Sequence, residues 1–129
     1  MASTTEPSGI TKRLRAFGFA FRGLGRMFRS EVHARIHLAV TILVVATGLV
    51  LDLTRIEWAI LTLTIAAVIA LEAFNTAFEA LCDVASPEHH PAVELAKDVA
   101  AGAVLVAAIA SLVIAALIFG PYLGDLLAA

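Results

Sequence analysis

The chain reads as an all-α membrane protein, and three observations predict it. Hydrophobic residues make up 60% of its 129 residues and charged residues only 16%, far from the balance of a soluble domain. Three apolar runs, about Ala34–Leu51, Trp58–Leu81 and Val99–Phe119, are each long enough as helices to cross about 30 Å of hydrocarbon. Seven of the nine Lys and Arg residues, all but Arg55 and Lys97, precede the first run or sit at its start. That asymmetry orients membrane proteins. A chain of this length forms one domain, 1–129, with no room for a separate soluble catalytic module.

The elements follow in order. Met1–Gly9 has the composition of a disordered segment. Over Ile10–Arg29, Leu14, Phe17, Phe21, Leu24 and Phe28 recur at spacings of three and four, with Arg15, Arg22, Arg26 and Arg29 mostly elsewhere. This predicts a basic amphipathic helix lying in the plane of the inner leaflet, drawn to anionic lipid. Gly18, Gly23 and Gly25 weaken it as a free helix and suit close packing on the spans. The first span follows, and the connection Asp52–Glu57 carries only Arg55 among cations.

By the positive-inside rule the N-terminus is cytoplasmic, Asp52–Glu57 lies outside, and the loop Cys82–Asp98 returns to the cytoplasm. Trp58 and Tyr122 then mark the outer interface, where amphipathic rings collect. None of the runs is a signal peptide: the first begins too far from Met1 and no small-residue cleavage site follows it. The single Cys82 excludes an intrachain disulfide and is read as filling space. Nothing in the chain points to a nucleic-acid partner.

The chemistry is expected on the second span. At about 100° per residue, Glu72, Asn75, Glu79 and Asp83 fall at roughly 0°, −60°, −20° and +20°, one polar stripe along a helix face. Carboxylates in or at the edge of a bilayer are costly, and by default they mark a site. With Trp58 at the outer interface and about 1.5 Å of rise per residue, Glu72 lies about 21 Å inward and Glu79 about 31 Å. Glu72 is thus within the cytoplasmic leaflet, while Glu79 and Asp83 reach its surface. Glu31 and Arg35 fall at the same end of the first span, and Lys97 and Asp98 at that end of the third.

Three acid-bearing helix ends therefore meet at one interface. A buried carboxylate beneath surface carboxylates and cations suits an acceptor held in lipid and an anionic donor from water. Surface carboxylates also suit Mg²⁺, which binds through one or two of them plus substrate phosphates. Other readings exist for several of these groups. Asn75 also suits a plain interhelical hydrogen bond, and Glu31 with Arg35 an ordinary i,i+4 pair. His33 and His37 have metal-compatible spacing, but no further ligand completes a set, and they read as interfacial histidines. His89 and His90, in the Pro-bounded stretch Ser86–Pro91, read as solvated, as does Glu94.

The run Glu72-x-x-Asn75-Thr76-Ala77-x-Glu79-x-x-x-Asp83, followed by Ala96-Lys97-Asp98-Val99-Ala100-Ala101-Gly102-Ala103-Val104, resembles the prokaryotic diacylglycerol kinase and undecaprenol kinase family. The resemblance extends back through Ala20-Phe21-Arg22-Gly23 and Glu31-x-x-x-Arg35-Ile36-His37, so it covers the chain from about Thr11. Phe74, Phe78 and Cys82 depart from its more usual aliphatic residues and leave the polar positions untouched.

The resemblance implies an N-terminal surface helix plus three transmembrane helices in a homotrimeric bundle, in a bacterial inner membrane with the active site at the cytoplasmic face. It implies transfer of the γ-phosphoryl group of MgATP to a lipid hydroxyl, without the glycine-rich phosphate loop of soluble kinases. Glu72 would be the general base, and Glu31 and Glu79 would hold Mg²⁺. Asn75 and Asp83 would support metal and nucleotide, Lys97 would neutralise phosphate charge, and Asp98 would contact the nucleotide. Lys12 and Arg15 would serve near lipid and phosphate. Arg35-Ile36-His37 and Asn75-Thr76-Ala77 are similar to the undecaprenol branch more than to the diacylglycerol branch.

The readings that compete are a proton- or cation-coupled transporter and a noncatalytic small-span subunit. A transporter would also carry intramembrane carboxylates, yet it does not call for mixed acids and cations at one interface. A subunit would explain the small residues Ala100, Ala101, Gly102 and Ala103 as a packing surface, but not Glu72.

Overall fold

The structure, a computed structural model, describes residues 9–128. It is all-helical: α1 Gly9–Ser30, α2 Val32–Val50, α3 Arg55–Ala85 and α4 Pro91–Ala128. The expected disordered segment lies outside the described residues up to Ser8, whereas Gly9 already opens α1. The last three helices are long and apolar enough to cross a membrane.

A single residue separates α1 from α2. Ser30 turns its hydroxyl back onto the Arg26 carbonyl at 3.2 Å, competing with helix continuation. Glu31 then takes an extended backbone (φ −92°, ψ 125°) as the N-cap of α2. Its side chain makes no capping bond, so the carboxylate stays available while still favoured by the positive helix end. Met27 and Ala34 are buried on either side of this break. Farther back, a Cβ added at Gly18, Gly23 or Gly25 would meet nothing within 4 Å. The expected close packing of those glycines on the spans therefore does not occur within the protomer.

The α2–α3 corner is built around Gly48. Asp52 takes the left-handed conformation (φ 53°), and the Leu53 N–H donates to the Gly48 carbonyl at 3.3 Å, closing α2 in a Schellman motif. Leu53 and the Trp58 ring fold over Gly48 so closely that a Cβ there would lie 2.9 Å from Leu53 Cδ1 and 3.0 Å from Trp58 Cη2. Thr54 starts α3 with a reciprocal capping box to Glu57.

α3 and α4 form an antiparallel pair clamped at both ends. The Tyr122 hydroxyl donates to Glu57 Oε2 at 2.9 Å at one end, and Lys97 Nζ to Asp83 Oδ1 at 2.9 Å at the other. A small apolar core of Leu53, Leu61 and Ile118, with Trp58 and Tyr122 packed on it, fills the first end. The second end is where polar groups gather.

The connection there is shorter than expected. α3 runs on to Ala85 and α4 begins at Pro91, so the loop is 86–90 rather than Cys82–Asp98. Proline suits the first helical position, and His90 Nδ1 accepts from the Ala92 N–H at 3.2 Å. His90 thus caps α4, a role beyond the solvation expected of it. α4 also continues through Pro121 to Ala128, well past Phe119.

The corner carries a test. Gly48→Ala must displace the Trp58 ring as well as the tip of Leu53, and overpacking of this kind costs about 1–3 kcal/mol. Thermal unfolding in detergent should show a lower Tm, with Gly102→Ala, where a Cβ meets nothing within 4 Å, left near the parent value.

Candidate active site

The polar stripe of α3 opens into a cavity of about 390 Å³ between α2, α3 and α4. Glu31 enters from the α1–α2 break, and Glu72, Asn75 and Glu79 come from successive turns of α3. The α4 wall is apolar, with Val104 and Ala108 among its residues.

Glu72 is only 4% exposed and is the one charged side chain buried among the described residues. None of the hydrogen bonds or ion pairs between described side chains holds its carboxylate. A buried carboxylate facing a cavity without a protein partner is expensive unless a ligand or proton answers it. Next to it, Asn75 Nδ2 donates to Glu79 Oε1 at 3.1 Å, which turns Asn75 Oδ1 inward as a buried acceptor with no donor. An orphaned acceptor of this kind calls for a cation or a donor from outside the protein.

Asp83, Lys97 and Asp98 stand apart. They line a second depression of about 290 Å³ beside the 86–90 loop, where the Lys97 ammonium, about one-third exposed, bonds Asp83. Glu79 adds to the negative field at Lys97, so the two depressions share an electrostatic border. His89 and Glu94, both exposed, approach at 3.6 Å on its outer side. Neither of these ion pairs involves Glu31 or Arg35, so the i,i+4 reading of those two does not use up the Glu31 carboxylate.

Of the residues singled out in the sequence, Glu31, Glu72, Asn75 and Glu79 are together in the first cavity, and Asp83, Lys97 and Asp98 in the second. Lys12 and Arg15, on α1, line neither. His33 and His37, read as interfacial, line the first cavity as well. Their i,i+4 spacing at the Glu31 end was the available signal. Cys82 is a free, half-buried thiol.

The first cavity is suited to a hard cation. Besides Glu72, the carboxylates of Glu31 and Glu79 and the unsatisfied Asn75 amide oxygen are oxygen donors of the kind Mg²⁺ accepts, and that ion takes its other ligands from water and substrate phosphates. No cluster of three or more His, Cys, Asp or Glu arranged for a metal occurs among the described residues, so the fit rests on the substrate supplying the rest.

The sequence profile of prokaryotic diacylglycerol kinase matches residues 18–119. This chain belongs to that family. It is 37% identical over 123 residues to the undecaprenol kinase of Bacillus subtilis strain 168, covering 95% of this chain and all of that one. It is 36% identical over 113 residues to a diacylglycerol kinase of Synechocystis, covering 87% of this chain and 65% of that protein. To the diacylglycerol kinase of Escherichia coli K12 it is 30% identical over 113 residues, 88% of this chain and 91% of that one. Both cavities lie within the matched segment, which includes Glu31, Glu72, Asn75, Glu79, Asp83, Lys97 and Asp98.

Proposed function

We propose that this membrane kinase transfers the γ-phosphoryl group of MgATP to the hydroxyl of a membrane lipid alcohol, with undecaprenol favoured over diacylglycerol. The observation that carries the reading is Glu72, buried at 4% exposure and lining one cavity with Glu31, Asn75 and Glu79. Membership of a kinase family favours it over a coupled transporter. The acceptor preference is supported by the 37% identity to an undecaprenol kinase along that protein's full length.

In this mechanism the lipid hydroxyl enters the first cavity from the hydrocarbon side and donates to Glu72. As its oxygen attacks the γ-phosphorus, Glu72 accepts the proton, the bond to the β-phosphate oxygen breaks, and ADP leaves. Glu31, Glu79 and Asn75 Oδ1 would hold Mg²⁺, which when bound neutralises phosphate charge. Lys97 neutralises further charge from the second depression, where Asp83 positions it and Asp98 meets the nucleotide. Lys12 and Arg15 serve the approach of anionic groups from α1. Phosphoryl transfer asks little of a protein beyond positioning and charge stabilisation, so four helices suffice.

The protein works as a homotrimer in a bacterial inner membrane, N-terminus and active site cytoplasmic, with α1 on the inner surface. This reading is supported by the cation-rich α1 and by exposed apolar residues on every spanning helix, such as Leu43, Leu63 and Val106. Native mass measurement in detergent should give three times the 13.5 kDa chain. A protease site placed before α1 should be cut only in inside-out vesicles. A monomer, or cutting from the other side, contradicts these assignments.

Activity separates the two carboxylates by role. Glu72→Gln keeps shape but cannot take the proton, so kcat should fall about 100- to 10,000-fold while nucleotide binding persists. Glu79→Gln should instead weaken Mg²⁺-dependent ATP binding, with part of the activity restored by extra Mg²⁺. Loss of nucleotide binding in Glu72→Gln, with binding kept in Glu79→Gln, reverses base and metal ligand. Undecaprenol and diacylglycerol assayed in parallel should give the higher kcat/KM with undecaprenol.

A further inference from the structure

His37 lines two cavities at once. One is the cavity of Glu31, Glu72, Asn75 and Glu79. The other is a crevice of about 70 Å³ deeper between α2, α3 and α4, walled by apolar residues such as Val44, Leu61 and Val68 with Thr41, Thr64 and Ser111. Two of its three hydroxyls are already committed. Thr64 Oγ1 donates to the Ile60 carbonyl and Ser111 Oγ to the Ala108 carbonyl, each at 2.8 Å. Thr41 alone has a hydroxyl that makes no hydrogen bond between described residues, so apart from it the crevice meets a ligand as hydrocarbon.

His37 itself is half-buried, and no hydrogen bond between described residues engages its imidazole. A neutral imidazole with both nitrogens uncommitted offers one donor and one acceptor. Here they stand where a polar cavity holding a carboxylate passes into an apolar one.

We propose that His37 is a positioning residue for the acceptor: its N–H donates to the lipid hydroxyl oxygen while that hydroxyl donates to Glu72, and it selects alcohols whose hydroxyl carbon leads directly into hydrocarbon. The proposal rests on the lipid-kinase reading above. Selectivity follows from what lies past the imidazole. A prenol places its first carbons in the crevice at no polar cost. A diacylglycerol carries two ester carbonyls within a few bonds of its hydroxyl, and with the imidazole N–H engaged the crevice has only the Thr41 hydroxyl to offer them. A carbonyl buried without a donor is penalised.

Steady-state kinetics on the full-length protein in mixed micelles test this, with a prenol and a diacylglycerol as parallel acceptors. For His37→Ala, kcat/KM for the prenol should fall about 3- to 10-fold, the scale of one lost hydrogen bond. KM for MgATP should not move, and the prenol-to-diacylglycerol ratio should drop. His37→Asn, which restores an N–H donor, should recover part of the loss. His37→Leu keeps bulk without the donor and should show the same drop in the prenol-to-diacylglycerol ratio, which tests the donor even where His37→Ala impairs assembly. An unchanged acceptor ratio, a change confined to KM for MgATP, or no recovery in His37→Asn overturns the proposal and leaves the kinase reading intact. A wild-type protein that phosphorylates neither acceptor overturns the kinase reading itself.

Discussion

The structure depends on keeping one carboxylate out of lipid inside a helix that crosses the membrane. Glu72 is 4% exposed in the middle of an apolar stretch of α3. Its burial is tolerable only because α2 and α4 wall off a cavity in front of it. The helical repeat then brings Asn75 and Glu79 to the same opening, one and two turns along. Glu31 completes the group because the chain breaks helix for a single extended residue and leaves that side chain uncapped. Each of these features is local, yet all of them serve the same few ångströms of space.

The remainder of the fold holds that space open. α3 and α4 are tied at one end by Tyr122 to Glu57 and at the other by Lys97 to Asp83. Between these ties α2 leans on α3 through the Gly48 corner, where Leu53 and Trp58 close over a residue with no side chain. The apolar core therefore sits at the Trp58 end, and the packing deficit sits at the Glu79 end. The apolar core and the proposed site thus occupy opposite ends of the same three helices.

Much of this was legible in the sequence, for identifiable reasons. Periodicity gives the angle of a side chain around its helix, so the shared face of Glu72, Asn75 and Glu79 could be read directly. Height was less legible: Asp83 has nearly the right angle, but it lies beyond the end of the cavity and pairs with Lys97 in the second depression. The helix ends around the loop are hard to read from hydropathy because the polar stretches that flank it are helical. Pro91 and the His90 cap begin α4 several residues earlier than hydropathy does. His37 was visible as a spacing and not as a site residue. Which lateral neighbours a span acquires is a property of helix packing, and one chain's pattern does not encode it.

The central claim is that a lipid hydroxyl comes to Glu72 from the hydrocarbon side. The most direct measurement is photolabelling in membranes with a lipid alcohol that bears a diazirine beside its hydroxyl, followed by peptide mapping. The account predicts adducts concentrated on residues 31–37 of the first break and α2 and on residues 72–79 of α3, displaced by excess unlabelled alcohol. Adducts confined to exposed apolar positions such as Leu43, Leu63 or Val106, undiminished by competitor, would contradict it.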